Sequence, residues 1–164
     1  MTLRAVYPDF SALNGLTAAD VAIVTYQDIG FGIFSSFPFY ELDLQDLRIT
    51  QSVGSPPQLT TVFEGRVTAE DVRLVQERLG GNEIAERLAD LGRAGKRSLE
   101  PRVCLDGSTA TLTATFTNGT RYKTVVNLCA FYLTKEQDSA LSSLLDVASR
   151  YCLDHGELAN RSLS

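Results

Sequence analysis

The chain has 164 residues, the length of one domain, and can bury about two thirds of the surface that its unfolded form exposes. Its hydrophobic fraction of 44% is ordinary for a globular protein. No apolar run reaches the roughly 20 residues of a membrane helix, and no signal-peptide pattern opens the sequence. The net charge of −5 argues against general nucleic-acid binding, which depends on neutralising phosphates. We therefore expect a single cytoplasmic domain over residues 1–164, with neither membrane nor nucleic acid among its partners.

The charge is unevenly distributed along the chain. Residues 1–71 contain nine acidic and three basic residues, whereas residues 72–102 contain seven basic and five acidic residues. The three cysteines are odd in number and widely spaced, which is typical of free thiols rather than of a disulfide framework. They are Cys104, Cys129 and Cys152. We expect poorly ordered ends, residues 1–16 and 157–164.

The first half of the chain predicts three strands. The segment Val21–Ile29 is rich in β-branched residues, which is typical of a strand. Alternation of apolar and polar residues over Phe39–Val53 predicts a second, half-buried strand. Its two faces would carry Phe39, Glu41 and Asp43 on one side and Tyr40, Leu42 and Leu44 on the other. The prolines of GSPPQ predict a turn, after which Leu59–Val67 forms a third, antiparallel strand.

Two helices should follow. The first begins at a capping box of Thr68 with Asp71 and ends near Gly80. The second extends from Asn82 to Gly92 and is followed by a polar connector as far as Pro101.

The last third of the sequence predicts a hairpin and a helix. Asn118-Gly119 between two alternating runs is typical of a two-residue type I′ turn. That turn would place a threonine face opposite Tyr122 and Thr124; the face consists of Thr111, Thr113, Thr115 and Thr117. A final helix should extend from the capping box at Thr134 to Gly156. The order of elements predicts an α+β fold, with an antiparallel sheet of four to six strands and two or three helices on one face.

An aromatic stretch followed by acidic residues is the strongest candidate for an interaction site. The sequence GFGIFSSFPFYELDLQD contains five aromatic residues and then alternates acidic residues with leucine. A few aromatic anchors dominate many protein interfaces, and acidic side chains beside them would steer a basic partner to the surface. The alternative interpretation of the stretch is core packing. The candidate partner-binding residues are Phe31, Phe34, Phe37, Phe39, Glu41 and Asp43.

The sequence predicts no catalytic residue, no metal site and no cofactor. Glu41 and Asp43, about 7 Å apart on one strand face, could hold a hard cation only with further oxygen ligands, which are not evident. Cys152 and the single histidine, His155, lie close together at a predicted helix end. The helix dipole favours a histidine at a helix C-terminus, so His155 needs no catalytic role to explain it. Cys152 lies on the apolar face of the predicted helix, where a thiol is typically an unreactive core residue. No dinucleotide, P-loop or G-x-S-x-G motif is present.

These features favour a non-catalytic, acidic protein-interaction module. It would cover a surface of a protein partner of basic charge, as small inhibitors and antitoxin or immunity proteins do. The alternative from another class is a small enzyme or small-ligand-binding domain with a pocket between sheet and helices. Its polar groups would be Tyr26, Tyr40, Glu41 and His155. A third alternative is self-association through the aromatic stretch or a sheet edge.

Overall fold

A computed structural model of the chain describes residues 11–30, 37–99, 108–128, 133–154 and 156–158. Within these ranges the chain forms six β-strands and four α-helices, together with short 3-10 turns. The helices pack against one face of an antiparallel sheet, so the predicted α+β fold is confirmed. None of the described helices is long and apolar enough to cross a membrane.

The sheet is antiparallel throughout, in the order β4-β3-β2-β1-β5-β6. Its strands are β1 (Val21–Ile29), β2 (Pro38–Asp43), β3 (Arg48–Ser55), β4 (Gln58–Arg66), β5 (Thr109–Phe116) and β6 (Arg121–Asn127). The helices are α1 (Ala69–Arg78), α2 (Ile84–Ser98), α3 (Lys135–Leu141) and α4 (Ser143–Tyr151). β1 therefore lies in the middle of the sheet between β2 and β5, and β4 and β6 are its two edges.

Alternation along the strands gives the sheet two different faces. Val24, Leu42 and Ile49 are fully buried in the core that the sheet forms with the helices. The residues between them point to the opposite side of the sheet, away from the core cluster to which the described helices contribute. Gln27, Ser52 and Thr113 on this side are nonetheless buried, at 5%, 5% and 6% exposed. We call this side the open face. It carries Ile23, Thr25 and Gln27 of β1, Phe39, Glu41 and Asp43 of β2, Arg48, Thr50 and Ser52 of β3, Leu59, Thr61, Glu64 and Arg66 of β4, Thr111, Thr113 and Thr115 of β5, and Arg121, Lys123 and Val125 of β6.

The prediction of one strand over Phe39–Val53 is wrong, because this segment turns back on itself. β2 ends at Asp43, and β3 returns beside it. The Asp43 carboxylate accepts hydrogen bonds from the backbone N–H groups of Gln45 and Asp46, at 3.0 and 2.9 Å. Leu47 completes the turn with a φ of 53°. An aspartate that bonds the backbone following it favours a turn, and the regular alternation on either side concealed this signal.

The hairpin at Asn118-Gly119 is confirmed, but its loop has three residues instead of the predicted two. The N–H of Phe116 donates to the carbonyl oxygen of Thr120 at 2.8 Å, which closes the loop around residues 117–119. Within this loop only Gly119 has a positive φ, of 89°, whereas a type I′ turn needs two such residues. The Asn118 side chain accepts the N–H of Thr120 at 2.8 Å and stabilises the longer loop.

The longer loop shifts the pairing of β5 with β6 by one residue. Thr113 lies opposite Lys123, and Thr115 lies opposite Arg121, so the threonine face of β5 shares the open face with two basic residues. The predicted neighbours, Tyr122 and Thr124, lie on the other face and are only 4% and 5% exposed. A shift of one position exchanges every side chain between the two faces of a strand.

α2 continues to Ser98, beyond its predicted end at Gly92. The reason is the contact of Gly95 with β6. A Cβ atom on Gly95 would lie only 2.6 Å from the carbonyl oxygen of Val125 and 2.7 Å from Oγ1 of Thr124. Glycine therefore permits a close approach of helix and strand, and this packing outweighs its low helix propensity. Most of the predicted connector up to residue 99 is helical, and its end lies outside the described residues.

The predicted last helix is divided at Ser142. The Ser142 hydroxyl donates to the carbonyl oxygen of Asp138 at 2.7 Å, a bond to the preceding turn that favours a bend. The guanidinium of Arg78 donates to the same hydroxyl at 3.0 Å and ties the bend to α1. The helical part ends at Tyr151, so the predicted continuation to Gly156 is wrong.

The first turn of α1 is bound to the end of α4 through Asp71, which is 3% exposed. Its carboxylate accepts the N–H of Thr68 at 3.0 Å in the predicted capping box. It also accepts the Tyr151 hydroxyl and pairs with Arg150 at 2.7 Å. Burial acts to raise the pKa of Asp71, but the hydrogen bonds from Tyr151 and Thr68 and the charge of Arg150 outweigh it and hold the pKa below its usual range.

Candidate interaction surface

The structure describes four of the six predicted partner-binding residues. They are Phe37, Phe39, Glu41 and Asp43; Phe31 and Phe34 lie outside the described residues. Phe37 enters β2 and is half-buried. The other three lie on β2, and the strand register places all of them on the open face. The buried side of β2 carries Leu42, which is fully buried, and Tyr40, which packs against the core, as the alternation predicted.

Phe39 is a half-buried aromatic ring in polar surroundings. It lies opposite Gln27 of β1 and Ser52 of β3. The Gln27 side-chain amide donates to two backbone carbonyl oxygens, those of Phe37 at 3.3 Å and Gly54 at 2.7 Å. These two bonds hold the segment entering β2 against the end of β3. Phe39 is therefore presented from a fixed backbone, with no aliphatic residue directly opposite it on either side.

Glu41 and Asp43 have different surroundings although they are two residues apart. Glu41 lies opposite Thr25 and Thr50, both of which are uncharged. Asp43 lies opposite Arg48 on β3, and its carboxylate accepts the backbone bonds of the following turn. Asp43 therefore shapes the β2–β3 turn, whereas Glu41 presents a carboxylate with hydroxyl-bearing neighbours on both sides.

The open face as a whole carries charges of both signs. Its acidic residues are Glu41, Asp43 and Glu64, and its basic residues are Arg48, Arg66, Arg121 and Lys123. The two β2 carboxylates lie in the middle of the sheet, and the basic side chains lie on β3 and on the two edge strands. The acidic first half of the sequence therefore does not produce a uniformly acidic surface. The predicted two-residue hairpin loop placed Arg121 and Lys123 on the face opposite the threonines; the longer loop brings both onto the threonine face.

A small cavity lies on the helix side of the sheet, beside β2 and the end of α4. Its volume is about 230 Å³, and it is lined by Pro38, Tyr40, Ala148, Ser149, Cys152, Leu153, Asp154 and Leu158. Burial raises the pKa of the Cys152 thiol to about 11, so the thiol is uncharged at neutral pH and a poor nucleophile. Burial also raises the pKa of Tyr40.

Those polar groups proposed for a ligand pocket that the structure describes do not converge on this cavity. Tyr26 is 3% exposed within the core, where burial raises its pKa, and it does not line the cavity. Glu41 lies on the opposite face of the sheet from Tyr40. His155 lies outside the described residues. Of the three side chains that the structure describes, Tyr40 alone lines the cavity.

Gln51 binds the backbone of Leu153, one of the residues that line this cavity, and the sequence analysis did not identify it. It is fully buried on the helix side of β3. Its amide donates to the carbonyl oxygen of Leu153 at 3.0 Å and accepts the N–H of the same residue at 2.9 Å. These two hydrogen bonds have the same donor and acceptor pattern as a bonded residue pair in a β-sheet. They hold the segment that follows α4 against β3. The predicted single strand over Phe39–Val53 placed Gln51 on the same face as Phe39, so its core-facing position follows only from the turn between β2 and β3.

Comparison with known proteins gives no family for this chain. No protein-family model matches it, and no curated protein or solved structure does so. In the part of the chain that the structure describes, no three histidine, cysteine, aspartate or glutamate side chains are grouped so that they could hold a metal ion. The arrangement of side chains on the open face is therefore the basis for a functional inference.

Proposed function

We propose that this protein is a non-catalytic interaction module that binds a protein partner on the open face around β2. The observation that supports the proposal is the common orientation of Phe39 and Glu41 on the side of the sheet that points away from the core cluster. An aromatic side chain beside a carboxylate, both on a regular strand, provides an anchor and a charge in fixed geometry.

The partner should present a basic side chain next to an apolar one. Glu41 faces only uncharged residues across β1 and β3, so an incoming lysine or arginine would meet a carboxylate with no basic residue directly opposite. The ring of Phe39 would then enter an apolar depression on the partner. A module of this kind would act as an inhibitor or immunity-type protein does, by covering a functional surface of its partner.

The test compares partner capture by the wild type and by Phe39→Ser. A candidate partner is a protein that the wild type captures from native lysate and the Phe39→Ser variant does not. This candidate is then expressed, and its affinity for both proteins is measured by calorimetry. Truncation of an aromatic anchor costs about 2 kcal/mol, so we expect Kd to rise roughly 30-fold. Thr111→Ala, on the same face of β5, is the matched control and should leave Kd unchanged.

The charge contribution is tested on the same complex with Glu41→Gln. We expect slower association at low salt and little difference at high salt, because salt screens the steering of a basic partner by the Glu41 carboxylate. A folded Phe39→Ser variant that captures the same proteins with unchanged affinity would refute the proposal.

A further inference from the structure

The two edges of the sheet are built differently. The β6 edge is partly covered by α2, since Gly95 lies against the carbonyl oxygen of Val125 and the Ser98 hydroxyl accepts the N–H of Asn127 at 2.9 Å. Along β4, only β3 packs extensively among the described elements. The exposed residues of β4 include Thr61, Glu64 and Arg66. An uncovered edge strand presents backbone groups with which another strand can pair.

The hydrogen-bonding pattern identifies which backbone groups of β4 point outward. The N–H of Val67 donates to the carbonyl oxygen of Leu47 at 2.9 Å, so bonded and non-bonded pairs alternate from that position. Glu64 and Arg66 fall in non-bonded pairs with β3 and direct their N–H and C=O groups to the outer edge. The pairing is offset between Gln51 and Ser52, because β4 contains an extra residue there.

Beyond this bulge, Ser55 and Gln58 pair across the two-residue turn, and alternation from this bonded pair makes Leu59 and Thr61 the outward residues of β4. Two residues, Val62 and Phe63, separate Thr61 from Glu64, where a regular strand would have one. The four outward residues are therefore spaced symmetrically about Val62–Phe63. All four also carry their side chains on the open face.

This spacing makes β4 complementary to itself. A two-fold axis at Val62–Phe63 places Leu59 opposite Arg66 of a second copy, and Thr61 opposite Glu64 of that copy. Each outward N–H and C=O then meets a partner, and no two like charges lie directly opposite each other. An axis at Glu64 or at Arg66 would instead place that charge opposite itself, which is unfavourable.

We propose that two copies of this chain associate through their β4 strands, antiparallel, about this axis, and form one continuous twelve-stranded sheet. The bulge favours a second copy over an unrelated extended peptide. In the dimer, the bulge at Val62–Phe63 of one copy lies beside the bulge of the other, and the regular segments on either side of it pair. Edge pairing buries less surface than a standard interface, so the dimer dissociates on dilution. This inference goes beyond the partner-binding role of Phe39, which lies two strands away from the edge.

The first test needs no variant. Light scattering across a concentration series should show a dimer that dissociates on dilution, and amide exchange by NMR should show protection at Leu59, Thr61, Glu64 and Arg66 that rises with concentration. The outward amides of Arg121 and Lys123 on the other edge serve as an internal control and should not respond. A monomer at every concentration, or protection confined to Glu64 and Arg66, overturns the proposed axis.

The second test is Thr61→Pro, with Thr61→Val as the matched control that keeps the N–H group. The N–H of Thr61 lies outside the β3–β4 ladder, so proline removes only an outward donor. We expect the dimer dissociation constant to rise at least tenfold in the proline variant alone, with unchanged circular dichroism. Phe39→Ser should dimerise normally. Dimerisation that survives Thr61→Pro, or is lost with Phe39→Ser, overturns the β4 interface.

Discussion

Substitution of Gly95 by alanine tests the close packing of α2 on β6. A Cβ atom at this position would lie 2.6 Å from the carbonyl oxygen of Val125 and 3.3 Å from Cγ2 of Val126. Ordinary van der Waals contact begins at 3.4 Å, so the helix would have to move away from the strand by about 0.8 Å at this point. The obstacle is a backbone atom, which no side-chain rotation can relieve.

The expected change in the free energy of unfolding has three parts. Helix propensity alone favours alanine over glycine by about 1 kcal/mol. Overpacking of a well-packed contact costs about 1–3 kcal/mol, and the bond between Asn127 and Ser98, 2.9 Å long, loses about 1 kcal/mol if the helix moves. The net expectation is a loss of about 1–3 kcal/mol despite the better helix former, which corresponds to a decrease in Tm of roughly 2–12 °C.

Urea denaturation and thermal melting of Gly95→Ala measure this loss. The matched control is Gly30→Ala, because the contacts that a Cβ there would make with the described residues are ordinary ones, to Ser108 at 3.9 Å and to Phe37 at 4.0 Å. We expect the control to be as stable as the wild type or slightly more so. If Gly95→Ala is equally stable or more stable than the wild type, the reasoning from close approach is refuted.

Two further substitutions test the buried polar contacts. The pKa of Asp71 is below its ordinary value of 3.8 in the folded protein, so its carboxylate stabilises the fold above about that pH and loses this effect as the pH falls through the lowered pKa. Asp71→Asn should therefore lower Tm at neutral pH, with a difference from wild type that shrinks below about pH 4; a difference independent of pH would contradict this assignment. Gln51→Met should cost about 1–3 kcal/mol, because the N–H and C=O of Leu153 lose their partners, and should speed carboxypeptidase cleavage of the C-terminal segment. Unchanged melting and cleavage would show that Gln51 does not hold this segment.

The sequence alone determined the parts of this protein that depend on neighbouring residues. The capping boxes at Thr68 and Thr134 are both present, because each side chain bonds a backbone group only three positions away. Phe39 and Glu41 share one strand face because successive side chains of any strand alternate. The partner-binding interpretation of that face stays a prediction.

The tertiary structure decided what depends on contacts between distant segments. α2 continues beyond Gly92 and Gly95 because it packs closely against β6. The local sequence does not indicate this packing. The bend at Ser142 is held by Arg78 of another helix. The symmetry of the β4 edge depends on how β4 pairs with β3. Packing and pairing energies arise between residues far apart in the chain, so local propensity cannot specify them; they appear only when the sheet and helices are assembled.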